Sequence, residues 1–461
     1  MALPTPIRLR TLLDALNDGL LEREAPVRLM LLTALAGAHV LLLGPPGTAK
    51  SELARRLQRA FADAPWFERL LTRFSTPEEL FGPLSLKALE ADRYERLTAG
   101  FLPTAGVAFL DEVYKANSAI LNALLTLLHE RVFDNGSGRV PVPLVCVVGA
   151  SNEGPADEAL QAFHDRFLVR VPVAPVGDAS FAALLRLEAG CVDMTQPLTG
   201  ADRDAVARAA RSVALGDDLL AACSALRAQL AADKQPLSDR RWRQWMDLLR
   251  TAAATEGRPT ADALDLWTAP YVAAATPAEV PALQAWVDAE VAQAVPQDAP
   301  WLTHAVEAFE MQLQVEQMAP VDGAEGDDAA GKLALARAIG GGQDDGGMLR
   351  IVSASLEDRL RRRWSPVHVQ ARLAQIDEIV AQAAVARETV AAQAQALQAR
   401  LAGRVWLPPT LAERWQAAHA HTLAVLDALL TRLATTRAGF AAQPQDTALP
   451  ADRPSPVVID P

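Results

Sequence analysis

Leu41-Leu42-Leu43-Gly44-Pro45-Pro46-Gly47-Thr48-Ala49-Lys50-Ser51 is an apolar run that breaks into a Gly/Pro turn just before a Lys-Ser pair. The short apolar run from His39 to Leu43 predicts a buried strand, and the residues from Lys50 to about Ala62 predict a helix. A turn between such elements points backbone N–H groups inward as a nest for phosphate oxygens, and the new helix adds its positive N-terminal end. Lys50 can then reach the β- and γ-phosphates of ATP, and the Ser51 hydroxyl can ligate Mg2+. Gly44, Pro45, Pro46, Gly47, Thr48, Ala49, Lys50 and Ser51 are therefore the candidate nucleotide-binding residues. The general pattern has glycine where Ala49 stands. Alanine tolerates helical backbone, so the loop is expected to form with Ala49 in ordinary helix-start geometry.

Working outward, Val107-Ala108-Phe109-Leu110-Asp111-Glu112 is a second apolar run, ending in two carboxylates 60 residues after Ser51. This is the Walker B arrangement. Asp111 would hold Mg2+, and Glu112 would act as general base on the attacking water. A third apolar run, Leu144–Val148, leads to Asn152, whose amide would bond the lytic water or the γ-phosphate. Arg166, in His164-Asp165-Arg166-Phe167, is the candidate arginine finger, with Arg170 as its nearest rival. In Leu237-Ser238-Asp239-Arg240-Arg241-Trp242, Ser238 reads as a helix cap that turns Arg240 or Arg241 back toward the γ-phosphate.

The remaining signals order the chain. Leu9–Leu35 reads as helical with a turn near Glu24–Pro26, Ser118–Glu130 as an amphipathic helix, and Asn135-Gly136 as a hairpin turn between Val132 and Val142. Apolar strands alternating with helices predict an α/β core with a parallel sheet over residues 1–175. Strand signals fade afterwards, predicting an all-α lid over 176–275 and a mainly helical domain over 276–440. That domain is interrupted by a Gly/Asp-rich insert at about 320–347, with a strand expected at Met348–Ser355. From Pro366, Leu373, Ile376, Val380, Ala383, Val390, Ala394, Leu397 and Leu401 keep a heptad rhythm with Arg387 as its one violation; Pro408-Pro409 then breaks the helix before a second one. This predicts an antiparallel hairpin packed as a core. Residues 441–461 are Pro-rich and expected to be unstructured.

Composition limits the function. The net charge is -12, which argues against nucleic acid or an anionic membrane as partner. Cys146, Cys191 and Cys223 form no CxxC pair and read as buried small side chains in a reducing cytoplasm. The amino terminus has no apolar signal segment, and no run is long enough for a membrane span. Arg359-Leu360-Arg361-Arg362-Arg363-Trp364 is a local basic cluster that reads as a solvated helix end or a ring-contact surface.

Gly44–Ser51, Phe109–Glu112, Ala150–Asn152, Asp165–Phe167 and Ser238–Arg241 together resemble AAA+ ATPases of the MoxR group. Arg73–Ser85, Arg93–Leu97 and Phe109–Arg131 bring the resemblance closer to the RavA branch, over most of residues 10–250. Ala49 is usual in that group. The resemblance implies a P-loop AAA+ core, a hexameric ring with Mg-ATP between subunits, a helix-2 insert at Gly82–Ala105 and a pre-sensor hairpin at about Arg131–Pro143. It implies a chaperone that matures or remodels a client protein complex, working with a protein that bears a von Willebrand A domain. The C-terminal third is less similar. The space at 320–365 is too short for the β-rich module of RavA-like proteins, so a lysine decarboxylase partner is not implied. Against this stand a nucleic-acid motor, a metal-chelatase-type motor subunit and an inactive nucleotide-gated scaffold; the acidic charge opposes the first, and intact Lys50, Asp111 and Glu112 oppose the last.

Overall fold

The computed structural model describes residues 3–136, 138–155, 158–187, 196–319 and 362–459. The chain separates into two units, Met1–Gln293 with Arg400–Trp415, and Ala294–Ala399 with Gln416–Pro461. The first begins with α1 (Pro6–Asn17) and α2 (Glu24–Leu35). Their break falls before Glu24 rather than at Pro26. The first N–H groups of a helix lack intrahelical acceptors, so proline is accommodated in the first turn of α2.

The chain continues through β1 (Val40–Leu43), α3 (Lys50–Arg59), β2 (Trp66–Leu70), the short α4 (Pro77–Phe81) and α5 (Leu86–Leu89), and β3 (Val107–Asp111). Then come α6 (Ser118–Glu130), the hairpin β4 (Val132–Asn135) and β5 (Gly138–Pro141), β6 (Cys146–Ser151), α7 (Glu158–His164) and β7 (Val169–Pro172). Five strands form one parallel sheet in the order β2-β3-β6-β1-β7. β1 and β6 are buried along their whole length, as the continuous apolar runs require. Ile120, Leu121, Leu124, Leu127 and Leu128 of α6 pack with Phe163 and Phe167 in one apolar core. Two strands have no such run. β2 is an edge strand that carries Glu68 and Arg69 on opposite faces, and β7, the other edge, carries Arg170, which is buried with its guanidinium donating to Ala274 O at 3.0 Å.

The lid comprises α8 (Asp178–Leu184), α9 (Gly200–Ala210), α10 (Asp217–Ala232), α11 (Asp239–Thr255), α12 (Ala269–Val272) and α13 (Val280–Trp286), with a two-residue strand pairing, Ala214–Leu215 beside Thr260–Ala261. Arg241, at the start of α11, is 2% exposed and fastens the lid to the sheet. It donates to Val272 O at 2.9 Å, Phe167 O at 3.1 Å and Leu168 O at 2.6 Å. The segment Arg400–Trp415 is bound to the same unit. Arg404 donates to Asp265 at 2.7 Å, the N–H groups of Val405 and Trp406 donate to Glu256 at 2.6 and 3.1 Å, and the Trp406 indole donates to Thr255 at 2.8 Å.

In the second unit α14 (Pro300–Met318), α15 (Pro366–Leu401) and α16 (Pro409–Ala441) share an apolar core that includes Leu302, Val306, Phe309, Ile376, Ala383, Leu426, Leu429, Leu433 and Phe440. The ion pairs Arg387–Asp427 and Arg437–Asp377 fix α15 and α16 as antiparallel, because numbers rise on one helix as they fall on the other. Arg387, the violation of the heptad rhythm, thus has its partner on the facing helix. Glu316 is 3% exposed and held by Arg372 at 2.9 Å and Gln443 at 3.2 Å. Beyond Ala441 the chain is irregular, and Ser455 O accepts from Arg372 at 2.7 Å.

The insert at 320–347, the strand expected at Met348–Ser355, Cys191 and Arg359–Arg361 lie outside the described residues. No helix among the described residues is long and apolar enough to cross a membrane.

Replacing Arg241 by methionine keeps the volume but leaves Phe167 O, Leu168 O and Val272 O without their donor. The variant should lose at least about 3 kcal/mol, read as a lowered urea midpoint, since each buried carbonyl left unpaired costs about 1–3 kcal/mol.

Candidate functional site

The register of the parallel sheet sets the site. Leu43, the last residue of β1, lies beside Ser151, the last of β6, so Gly44 and Asn152 leave the sheet side by side. β3 ends on the other flank of β6 with Asp111. Three loops therefore meet at the carboxyl edge. Gly44 is held against the end of β7: a Cβ there would lie 2.1 Å from Val173 O, so no larger residue fits without moving backbone.

Within the loop, Gly47 has φ +80° and Ala49 has φ +68°, both in the left-handed region. The expected right-handed geometry of Ala49 is thus not what the turn requires. The chain must reverse before Lys50 begins α3, and alanine bears a strain of roughly 1–2 kcal/mol for it. Lys50 is largely buried, and its ammonium donates to Gly44 O at 2.6 Å, Pro45 O at 2.9 Å and Asn152 Oδ1 at 2.9 Å. Desolvation lowers its pKa, against the opposing pull of Asp111 and Glu112. Thr48 is buried, its hydroxyl donating to Pro45 O at 3.0 Å; Ser51 lies in the first turn of α3.

Asn152 joins the two halves of the site. Its amide oxygen accepts a hydrogen bond from the Lys50 ammonium, and its amide nitrogen donates to Glu112 Oε1 at 2.5 Å. Glu112 also pairs with Lys115 at 3.3 Å and has φ 52° and ψ 46°, a left-handed backbone uncommon for a side chain of its size. Asp111 Oδ1 accepts the Glu112 N–H at 2.9 Å, fixing that turn. Burial is the largest influence on the Asp111 carboxyl and raises its pKa.

The arginines divide differently. Arg170 and Arg241 are 8% and 2% exposed, and their guanidinium groups are engaged with backbone carbonyls and Asp165. Arg166 and Arg240 are less buried, and Arg240 has its pKa lowered by desolvation first and by the charge of Arg166 next. Arg240 Nη2 lies 3.0 Å from His129 Nδ1, near the end of α6. That end lies at the amino edge of the sheet, since Leu128 O is 3.2 Å from the ring of His39, the residue preceding β1. Arg166 precedes β7, which is aligned with β1 from its first residue. No contact among the described residues joins Arg166 or Arg240 to Gly44–Ser51.

Residues 7–207 match the family described as the MoxR domain of the MoxR-vWA-beta-propeller ternary systems, and residues 218–287 match the AAA lid domain family. The chain is a MoxR-group AAA+ ATPase. Two uncharacterized proteins of Methanocaldococcus jannaschii are similar to it. One is 40% identical over 263 residues, which is 55% of this chain and 68% of that protein. The other is 38% identical over 261 residues, 56% of this chain and 68% of its own. Protein MoxR of Paracoccus denitrificans is 30% identical over 185 residues, 38% of this chain and 53% of that protein.

In this MoxR-group chain the segments Gly82–Ala105 and Arg131–Pro143 are bound to each other. Asn135 Oδ1 accepts the Arg96 N–H at 2.6 Å, and the Asn135 amide donates to Arg96 O at 3.2 Å. Leu86, Leu89, Tyr94 and Leu97 of the first segment are exposed. The donor set suits Mg-ATP. The loop has the left-handed turns that aim N–H groups inward, and a half-buried carboxyl with a nearby serine hydroxyl offers hard oxygen ligands of the kind Mg2+ takes while keeping several waters. Other contacts, outside the phosphate site itself, involve residues to which the sequence reading gave no role. Tyr114 and His164 are hydrogen-bonded and half or fully buried, and His129 touches Arg240.

Ala49→Gly should relieve the left-handed strain and stabilise the protein by about 1 kcal/mol, seen as a higher thermal midpoint with ATP binding retained.

Proposed function

We propose that the protein is a Mg-ATP-hydrolysing ring motor that remodels or matures a client protein complex together with a von Willebrand A domain protein. One observation carries the hydrolytic reading: Asn152 bridges Lys50 and Glu112, which brings the phosphate-binding cation and the carboxylate base to one point. The N–H groups of Gly44–Ser51 would cradle the phosphates, with Lys50 exchanging the carbonyls of its own loop for phosphate oxygens. Ser51 and Asp111 would hold Mg2+, which offsets charge on the phosphates. Glu112 takes a proton from the water as its oxygen attacks the γ-phosphorus, and the bond to the bridging oxygen breaks to leave ADP and phosphate. Asn152 orients that water.

Arg166 and Arg240 serve the site of an adjacent subunit. β1 is four residues long, so the two edges of the sheet are separated by about 13 Å, and both arginines belong to the amino edge. A hexamer is the ring expected. The exposed Leu86, Leu89, Tyr94 and Leu97, on a segment braced by Asn135, supply an apolar surface for the client. The family description supports the von Willebrand A partner, and a β-propeller protein with it.

Mixing two inactive variants tests the trans geometry. Lys50→Ala subunits lack a working loop but keep Arg166; Arg166→Ala subunits keep the loop. Each alone should hydrolyse at least about 10³-fold slower than the parent, and the mixture should regain a measurable share of the rate. If the Arg166→Ala protein hydrolyses ATP normally, the arginine assignment is wrong. The Glu112→Gln variant should bind ATP without turnover. A pull-down with it should retain a von Willebrand A domain protein in ATP but not without nucleotide, and nucleic acid in its place would overturn the remodelling reading.

A further inference from the structure

Glu112 and Arg166 are expected to act on different nucleotides, yet two side chains connect their turns. Tyr114 lies two residues after Glu112, in the tight turn Val113–Lys115. His164 closes α7, two residues before Arg166. The Tyr114 hydroxyl meets His164 Nδ1, and the rings lie 6.0 Å apart at 41°. His164 is 3% exposed, and burial first, then Arg170 and Arg241, push its imidazole down to about 3. It is therefore neutral, and Nδ1 accepts from the tyrosine. Burial raises the Tyr114 hydroxyl, which stays protonated and donates. Neither group is needed to bind phosphate or to move a proton.

Both ends of this contact are constrained. On one side the Glu112 turn is left-handed, held by Asp111 Oδ1 and by Asn152. On the other, Asp165 lies between His164 and Arg166, 3.5 Å from Arg241 and 3.9 Å from Arg170. A shift of the Glu112 turn is passed to His164 through one hydrogen bond and on to Arg166 through a short stretch of backbone.

We propose that Tyr114 and His164 are positioning residues that tie a subunit's own hydrolytic site to the reach of its arginine into the next subunit's site. Resting on the trans reading of Arg166, the tie makes hydrolysis cooperative around the ring: a subunit whose Glu112 turn is set by ATP presents its arginine, and one without ATP does not.

Tyr114→Phe removes the hydroxyl and keeps the ring. The expected result is unchanged affinity for a fluorescent ATP analogue, kcat lower by about threefold to tenfold, and a Hill slope that falls toward that of independent sites. His164→Asn places an amide oxygen where Nδ1 was and should stay within about twofold of the parent in both readouts, whereas His164→Ala should behave as Tyr114→Phe does. Parental kcat and Hill slope in Tyr114→Phe would sink the tie. So would a loss of analogue affinity in step with a lower thermal midpoint, because that is the mark of packing alone. The two levels of failure separate: an active Arg166→Ala protein removes the trans reading and the tie with it, while an inactive Arg166→Ala beside a parental Tyr114→Phe removes only the tie.

Discussion

In a parallel sheet every strand ends at the same edge, and the candidate site follows from that constraint. β1, β3 and β6 are neighbours, so the loops after Leu43, Asp111 and Ser151 converge although they are distant in the chain. Asn152 occupies the middle loop and can reach both flanks at once. The same constraint gives the sheet an opposite edge, where the strands begin. His129, Arg166 and Arg240 gather toward that edge.

Two of the strained backbone positions lie at the carboxyl edge. Ala49 and Glu112 are both non-glycine residues in the left-handed region, and both lie where a strand hands over to the next element. Each turn is over-determined by its surroundings: Gly44 is pressed against Val173, and Asp111 caps the Glu112 N–H. Local cost is tolerated because the buried strands on either side fix where the loops begin. Such strain pre-arranges the donors and carboxylates, so less ordering remains for the moment of binding.

The lid and the helical bundle are held by buried charge rather than by apolar contact alone. Arg241 satisfies carbonyls on β7's approach and at the end of α12, and Arg404, Asp265 and Glu256 form a second buried cluster. In the other unit Glu316 of α14, Arg372 of α15 and Gln443, just past the end of α16, do the same. Such groups contribute little net energy compared with apolar residues of equal volume, but removing one partner is costly, so they discriminate strongly against other packings.

The sequence by itself determined the elements whose side chains all face one environment. The apolar runs of β1, β3 and β6, the stripe of α6, the Asn135-Gly136 turn and the loop residues around Lys50 are local patterns, legible without knowing their neighbours. Only the tertiary structure decided the rest. β2 and β7 carry charge within strands because both are edges of the sheet, and the buried Arg170 of β7 has a lid carbonyl to accept its N–H. Arg166 and Arg240 differ from Arg170 and Arg241 in burial, which no adjacent residue reveals. The backbone of Ala49 is set by where β1 and α3 must lie, and the Tyr114–His164 contact joins residues 50 apart in the chain. The physical reason is common to all of these: periodicity reports which face of an element is apolar, whereas burial, strain and hydrogen-bond partners depend on which elements the fold sets beside it.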